Sequence, residues 1–240
     1  MSITPGTTRI ISWNCGGGFH RKAHRITELE PDIAVLQEVM EKDALAMGPE
    51  YKVDWTGRTN KKGLLIATRR GWNLQIQAKT QANHLVQFAA SQDTKLIIGT
   101  GVWSVPPGAR NYTKTVCDGL DELTRLSRPP EAMRIILGDF NASPVFDKSD
   151  TRANQFSRIL DRMDTLSLDS LWHSKTGEDI GDESQPTLYM QYNENKPYHI
   201  DYIFGCDKAG KALEEMRIGR YDEWCKGWSD HMPIIADFRY

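Results

Sequence analysis

The sequence predicts an α/β protein whose core is two β-sheets packed face to face, with helices outside. Three observations carry this expectation. Short apolar runs bounded by turn residues outnumber segments of helical periodicity. Several of those runs follow one another directly instead of alternating with helices, which disfavours a single parallel sheet. At 240 residues and 39% hydrophobic content, the chain can fill one large core.

Arg9 to Asn14 (RIISWN) reads as a strand, broken by CGGGF. HRKAHRITELE then has helical character, and PDIAVLQEV reads as a buried strand opened by Pro31 and Asp32. Gly63 to Arg70 (GLLIATRR) and Lys95 to Trp103 (KLIIGTGVW) are two more strands. Residues 112–127 set Val116, Leu120 and Leu123 at helical spacing and stop before Pro129 and Pro130. MRIILGDF is a strand, and residues 149–168 read as a helix with Ser149 or Asp150 as its cap. HIDYIF and MPIIADF are late strands. With no repeat, low-complexity tract or linker, residues 1–240 are expected to form a single domain, with 1–8 a short extension.

The totals exclude several classes. The 30 Lys and Arg against 32 Asp and Glu give a formal charge of −2, which is not the signature of a strongly basic nucleic-acid binder, although it permits a local basic patch. No apolar stretch approaches the roughly 18 residues of a membrane span. The N-terminal MSITPGTTRI lacks the basic and apolar regions of a signal peptide. Cys15, Cys117, Cys206 and Cys225 form no CxxC pair and read as reduced thiols. A cytoplasmic location without stable membrane association is expected, and no protein partner is inferable.

The chemistry gathers at the ends of the strands. RIISW stops on Asn14, DIAVLQ on Glu38, and MRIIL leads to Asp139 and Asn141. HIDYIF carries Asp201, and Asp230 and His231 stand just before MPII. Residues i and i+2 of a strand share a face, so Asp139 and Asn141 are expected to face one spot. Meeting there, these ends form a cleft of four carboxylates, two amides and an imidazole. Like charges so close repel unless a cation or shared protons intervene, and no lysine inside the motifs balances them. An all-oxygen cluster suits Mg²⁺, with Mn²⁺ able to substitute. A metal beside a His–carboxylate pair is equipment for phosphoester hydrolysis.

These segments, SWNCGG, LQEV, GDFNASP, HIDYIF and SDHMPI, resemble in kind and order those of the endonuclease/exonuclease/phosphatase superfamily, which includes exonuclease III-type and deoxyribonuclease I-like enzymes. The chain looks most similar to compact bacterial-type members. The resemblance implies a four-layer αββα sandwich of two packed mixed β-sheets flanked by helices. It implies Glu38 as the main Mg²⁺ ligand, with Asn14 and Asp230 as further ligands or near neighbours. Asp139 would position or deprotonate the attacking water, and Asn141 would hydrogen-bond the phosphate or the water. Asp201 would orient His231, whose imidazolium would stabilise the pentacovalent phosphorus. Two positions depart from the pattern. Gly16 stands where many abasic-site endonucleases carry an Asp, and Trp103 where the family usually has a catalytic His or Tyr. Trp103 retains an indole N–H for a phosphate oxygen.

For substrate contacts, Lys52, Arg58, Lys61, Lys62, Arg69 and Arg70 face a single acid, Asp54, within one short stretch. Phosphate contacts from Arg58, Lys61 and Lys62 would add affinity without reading sequence. Tyr189, Tyr192 and Tyr198, just before Asp201, are placed to stack on bases. The expected function is a metal-dependent phosphodiester hydrolase, a nuclease acting on DNA or RNA by in-line water attack. The alternatives are a phosphomonoesterase on a small phosphorylated molecule or lipid head group, and a phosphate-gripping binding module with little catalysis.

Overall fold

The computed structural model describes residues 6–57, 61–80, 85–105, 111–123, 129–149 and 151–239. The chain lays down β1 (Thr7–Asn14), α1 (Ala23–Thr27), β2 (Ile33–Met40), β3 (Tyr51–Gly57) and β4 (Lys62–Arg69). Next come β5 (Asn73–Lys79), β6 (Leu85–Gln92), β7 (Lys95–Trp103), α2 (Tyr112–Leu123) and β8 (Met133–Asp139). α3 (Ser157–Thr165), β9 (Asp169–Ser170), α4 (Leu171–Thr176) and a small pair, β10 (Leu188–Tyr189) and β11 (Pro197–Tyr198), precede β12 (Asp201–Gly205). α5 (Asp207–Ala212), β13 (Leu213–Ile218), α6 (Tyr221–Trp224) and β14 (Ile234–Arg239) follow.

Two six-stranded sheets result, ordered β13-β14-β1-β2-β4-β3 and β5-β6-β7-β8-β12-β9. Both are mixed. β1–β2 and β7–β8 are parallel, and the other neighbours are antiparallel. With helices flanking them, the sheets make the αββα sandwich. β1 and β2 pack on β8, and β2 and β4 on β7, so the parallel pairs at the two sheet centres face each other. Gly101 sets the close approach: a Cβ there would lie 2.9 Å from Val35 Cγ1 and 3.1 Å from Ile66 Cδ1. Each fully buried apolar side chain in this layer, such as Val35 or Leu64, contributes about 1.5–3 kcal/mol.

Some elements differ from expectation. β1 begins at Thr7, so Thr7 and Thr8 pair with Arg239 and Phe238 instead of forming part of an extension. The expected helix after the glycines is a 3₁₀ turn, Phe19–Arg21, followed by the short α1. Residues 149–168 are not one helix. Two 3₁₀ turns, Pro144–Ser149 and Arg152–Asn154, precede α3, because side chains compete with helical hydrogen bonding. Asn154 Oδ1 accepts from Thr113 N–H at 2.9 Å, and Asp147 Oδ1 accepts from Phe156 N–H at 2.8 Å, a role expected of Ser149 or Asp150. Asp150 lies outside the described residues, as do 124–127 of the expected second helix. The four cysteines are buried and unpaired. Among the described residues no helix is long and apolar enough to cross a membrane.

Candidate active site

Because the central strands are parallel in pairs, their C-terminal ends emerge together. Asn14 is the last residue of β1, and Asp139 is the last of β8. Asp139 pairs across the sheet with Trp103 on one side and Asp201 on the other, so three strands present these residues in one row. Glu38 is placed differently. The register of β2 on β4 shifts between Leu36 and Val39, and Glu38 takes φ +63°. A bulge of this kind re-aims a side chain, and a non-glycine residue at positive φ is strained, a combination frequent at functional sites. Asn141 reaches Asp139 by the same means. It stands beyond the strand at φ +48°, so a left-handed turn, and not the strand pleat, brings the two together.

Asp139 is fully buried and accepts three hydrogen bonds. Asn14 Nδ2 donates at 2.9 Å, Asn141 Nδ2 at 2.8 Å and Asn141 N–H at 2.8 Å. The Asn14 amide also donates to Glu38 Oε1 at 3.3 Å, so one side chain links two carboxylates. His231 Nδ1 lies 3.0 and 3.2 Å from the two Asp201 carboxylate oxygens, which leaves Nε2 for another partner. Ligand atoms of Asp139, Asp201 and His231 lie within 4.8 Å of one another, close enough to hold a metal ion among the described residues.

Burial pushes the Asp139 carboxyl up to about 7, against the pull of the His231 charge. Burial alone would lower the His231 ring, yet Asp201 and Asp139 hold it up to about 10. At neutral pH the histidine is therefore an imidazolium. With Nδ1 on Asp201, the ring sets a positive charge beside the carboxylates and amides of the site.

The remaining expected residues divide. Asp230 is half-buried beside His231. Its carbonyl accepts from Tyr189 N–H at 2.7 Å, and its charge acts on His231 and the Tyr192 phenol. Lys62 is not a free rim lysine. It pairs with Glu38 and so supplies, from outside the motifs, the lysine the sequence lacked within them. Lys61 is exposed, and Arg58 lies outside the described residues. Tyr192 is 49% exposed, and its charge environment includes Asp230, Glu38 and Lys62. Tyr189 packs edge-on to Tyr221 at 4.6 Å, and Tyr198 packs on Phe146 at 5.0 Å. A cavity of about 340 Å³ opens beside Asn141, walled by Tyr112, Phe146, Leu188, Met190 and Ile200.

Three orienting residues were missed. Ser229 Oγ donates to the Asn14 carbonyl at 2.7 Å and accepts from His231 N–H. Thr187 Oγ1 accepts from the N–H groups of Ile200 and Asp201. Trp13 Nε1 donates to the His231 carbonyl at 2.9 Å. Ser229 and Trp13 had a sequence signal in their places directly before Asp230 and Asn14, and Thr187 had none.

A model of the endonuclease/exonuclease/phosphatase family matches residues 11–231. An AP endonuclease from Leishmania major is 14% identical with TM-score 0.75, over 98% of this chain and 88% of that one. A 3′ phosphatase from Neisseria, solved with a product DNA hairpin, is 19% identical with TM-score 0.68, over 97% of this chain and 100% of its own. TDP2 of D. rerio, complexed with a single-strand DNA product, is 17% identical with TM-score 0.69, over 98% and 99%. At these identities the likeness is one of fold. A curated relative, a 1-aminocyclopropane-1-carboxylate deaminase of Rhizobium radiobacter, is 25% identical over 101 residues. That match spans 42% of this chain and 30% of the relative, too little to carry an activity.

Proposed function

The chain belongs to the endonuclease/exonuclease/phosphatase family, and on that premise we propose that it is a divalent-metal-dependent phosphodiester hydrolase that cuts nucleic acid by in-line attack of water. The observation that carries the reading is the buried Asp139 carboxyl, held by three N–H donors beside the Asp201–His231 pair. A carboxyl near neutral pKa beside an imidazolium is a base beside a fixed positive charge.

The donor set also suits Mg²⁺ or Mn²⁺. Glu38 and Asp139 are hard oxygen donors tied to one amide, and Glu38 already draws a cation in the form of the Lys62 ammonium. Glu38 would hold the ion, with Asn14 and Asp230 close by. The ion would neutralise charge developing on the phosphate oxygens. Asp139 takes the proton of the attacking water as the water oxygen bonds to phosphorus and the P–O bond opposite breaks, the leaving oxygen taking its proton from solvent. Asn141, anchored on Asp139, donates to the water or to a phosphate oxygen. Asp201 fixes the His231 ring, and the imidazolium stabilises the pentacovalent phosphorus. Trp103, beside Asp139 in the sheet, borders the phosphate. Lys61 and Tyr192 serve the flanking nucleotides.

The cavity beside Asn141, where Thr113, Ser143 and Asn154 join the apolar wall, favours a second reading, a phosphomonoesterase acting on a small molecule. A panel of labelled DNA, RNA and small phosphoesters with Mg²⁺ or Mn²⁺ decides between them. Cleavage of oligonucleotides is expected. Turnover of a small phosphoester with no cutting or binding of oligonucleotides would replace the nuclease reading with the phosphatase one.

A further inference from the structure

Glu38 is engaged on both oxygens: Oε1 receives the Asn14 amide, and Oε2 receives the Lys62 ammonium. The backbone puts the lysine there. Met40 and Lys62 are paired neighbours at the edge of the bulge that throws out Glu38, so both side chains emerge from one irregularity. Gly17 makes room on the other side. Gly16, Gly17 and Gly18 all take left-handed φ values of +63°, +76° and +60°. A Cβ on Gly17 would stand 3.1 Å from Lys62 Cε and 3.5 Å from Nζ. The loop is thus bare where the lysine lies across it.

The pair is open to water, with side chains 44% and 23% exposed, and such pairs are weak. A divalent ion carries twice the charge and competes for the same oxygens. Once displaced, a lysine head keeps three donors on a four-carbon stem and binds phosphate as a point charge. We propose that Lys62 is a movable second cation of this site: it occupies Glu38 while that carboxylate holds no metal, and passes to a phosphate oxygen of the substrate when a divalent ion takes the carboxylate. The proposal rests on reading Glu38 as the metal's ligand.

Calorimetric titration of Mg²⁺ alone into the whole chain tests it. Removing the competing ammonium in Lys62→Met should tighten Mg²⁺ binding roughly threefold. At saturating Mg²⁺ the same variant should bind inorganic phosphate about tenfold more weakly, the size of one charge-assisted hydrogen bond, and Lys62→Arg should recover part of that loss. Thermal melting verifies that both variants are folded. If Lys62→Met binds Mg²⁺ no tighter while Glu38→Gln loses it, the exchange is wrong and the metal site stands. If Glu38→Gln binds Mg²⁺ as the unmodified chain does, the metal reading falls and the exchange with it.

Discussion

The two ends of β1 treat charge in opposite ways. Near its start, Arg9 is 3% exposed and meets Asp237 of β14 through two bonds, 2.7 Å from Nε and 2.8 Å from a terminal nitrogen. Its other terminal nitrogen donates to the Leu29 carbonyl at 2.8 Å. Arg217 adds a second, longer contact to the same Asp237 at 3.4 Å, so this carboxylate's cations are already in place. At the far end, Asn14 touches Glu38 and Asp139, with Asp201 and Asp230 nearby, and among the described residues His231, Lys62 and, at longer range, Lys22 stand against these four acids. A carboxylate whose charge is already met locks strands together and does not draw a further ion. An unmatched set keeps affinity for a cation and holds a proton near its point of release.

The largest expected effects separate these ends by activity. His231→Ala and Asp201→Ala should each lower the cleavage rate roughly 10²–10⁴-fold. The double variant should be little worse, because the pair acts as a unit. Multiplying losses in a kinetic comparison would break the pair. Asp139→Asn should lose activity and also some melting temperature, because its amide must turn an NH₂ toward at least one of the N–H groups that Asp139 accepts. Arg9→Met should cost stability and spare activity: Asp237 keeps only the longer Arg217 contact, and a urea titration should show a loss of up to about 3 kcal/mol with the activity of the folded fraction unchanged.

The next effect is pH. Asp139 must be ionised to take a proton, so the rate should rise with pH, about tenfold per unit, up to an inflection at about 7. Bound metal moves that inflection down. His231 must stay protonated, so the rate should fall again near pH 10. Stability carries a sign as well. The folded histidine's pKa, about 10, lies above its ordinary 6.5, so its contribution is complete below about 6.5 and is lost as pH rises through about 10. A pH–rate profile with no limb near or below 7 would remove Asp139 from the role of base.

The same contrast explains what the sequence could reveal. The fold class was legible because the central strands, such as Ile33–Met40 and Met133–Asp139, are buried on both faces and read as apolar runs. Of the longer strands that were missed, β3, β5 and β13 lie at sheet edges, as does the two-residue β9, while β6 is interior but breaks its apolar run with Gln87, Ser91 and Gln92. Asn73–Lys79 alternates apolar with polar residues over seven positions, and Leu213–Ile218 carries a register shift, so neither stands out from loop composition. At the site, the acids were legible as polar residues closing apolar strands. The devices that aim them were not. The left-handed Glu38 and Asn141, the Thr187 acceptor and the Lys62 ion pair arise from backbone turns and from residues distant in the chain. The smallest effect belongs to this margin: Lys61→Glu should lower the slope of log affinity against log salt for an oligonucleotide by about one, if Lys61 meets one phosphate.

The charge imbalance at the site end is tested most directly by melting the chain with and without Mg²⁺, beside Glu38→Gln. A ligand at one hundred times its Kd stabilises by about 2.7 kcal/mol, which for a chain of this size is roughly 5–10 °C. That rise is expected in the unmodified protein and absent in Glu38→Gln. An equal rise in both, or none in either at saturating Mg²⁺, would contradict a cation site built on Glu38.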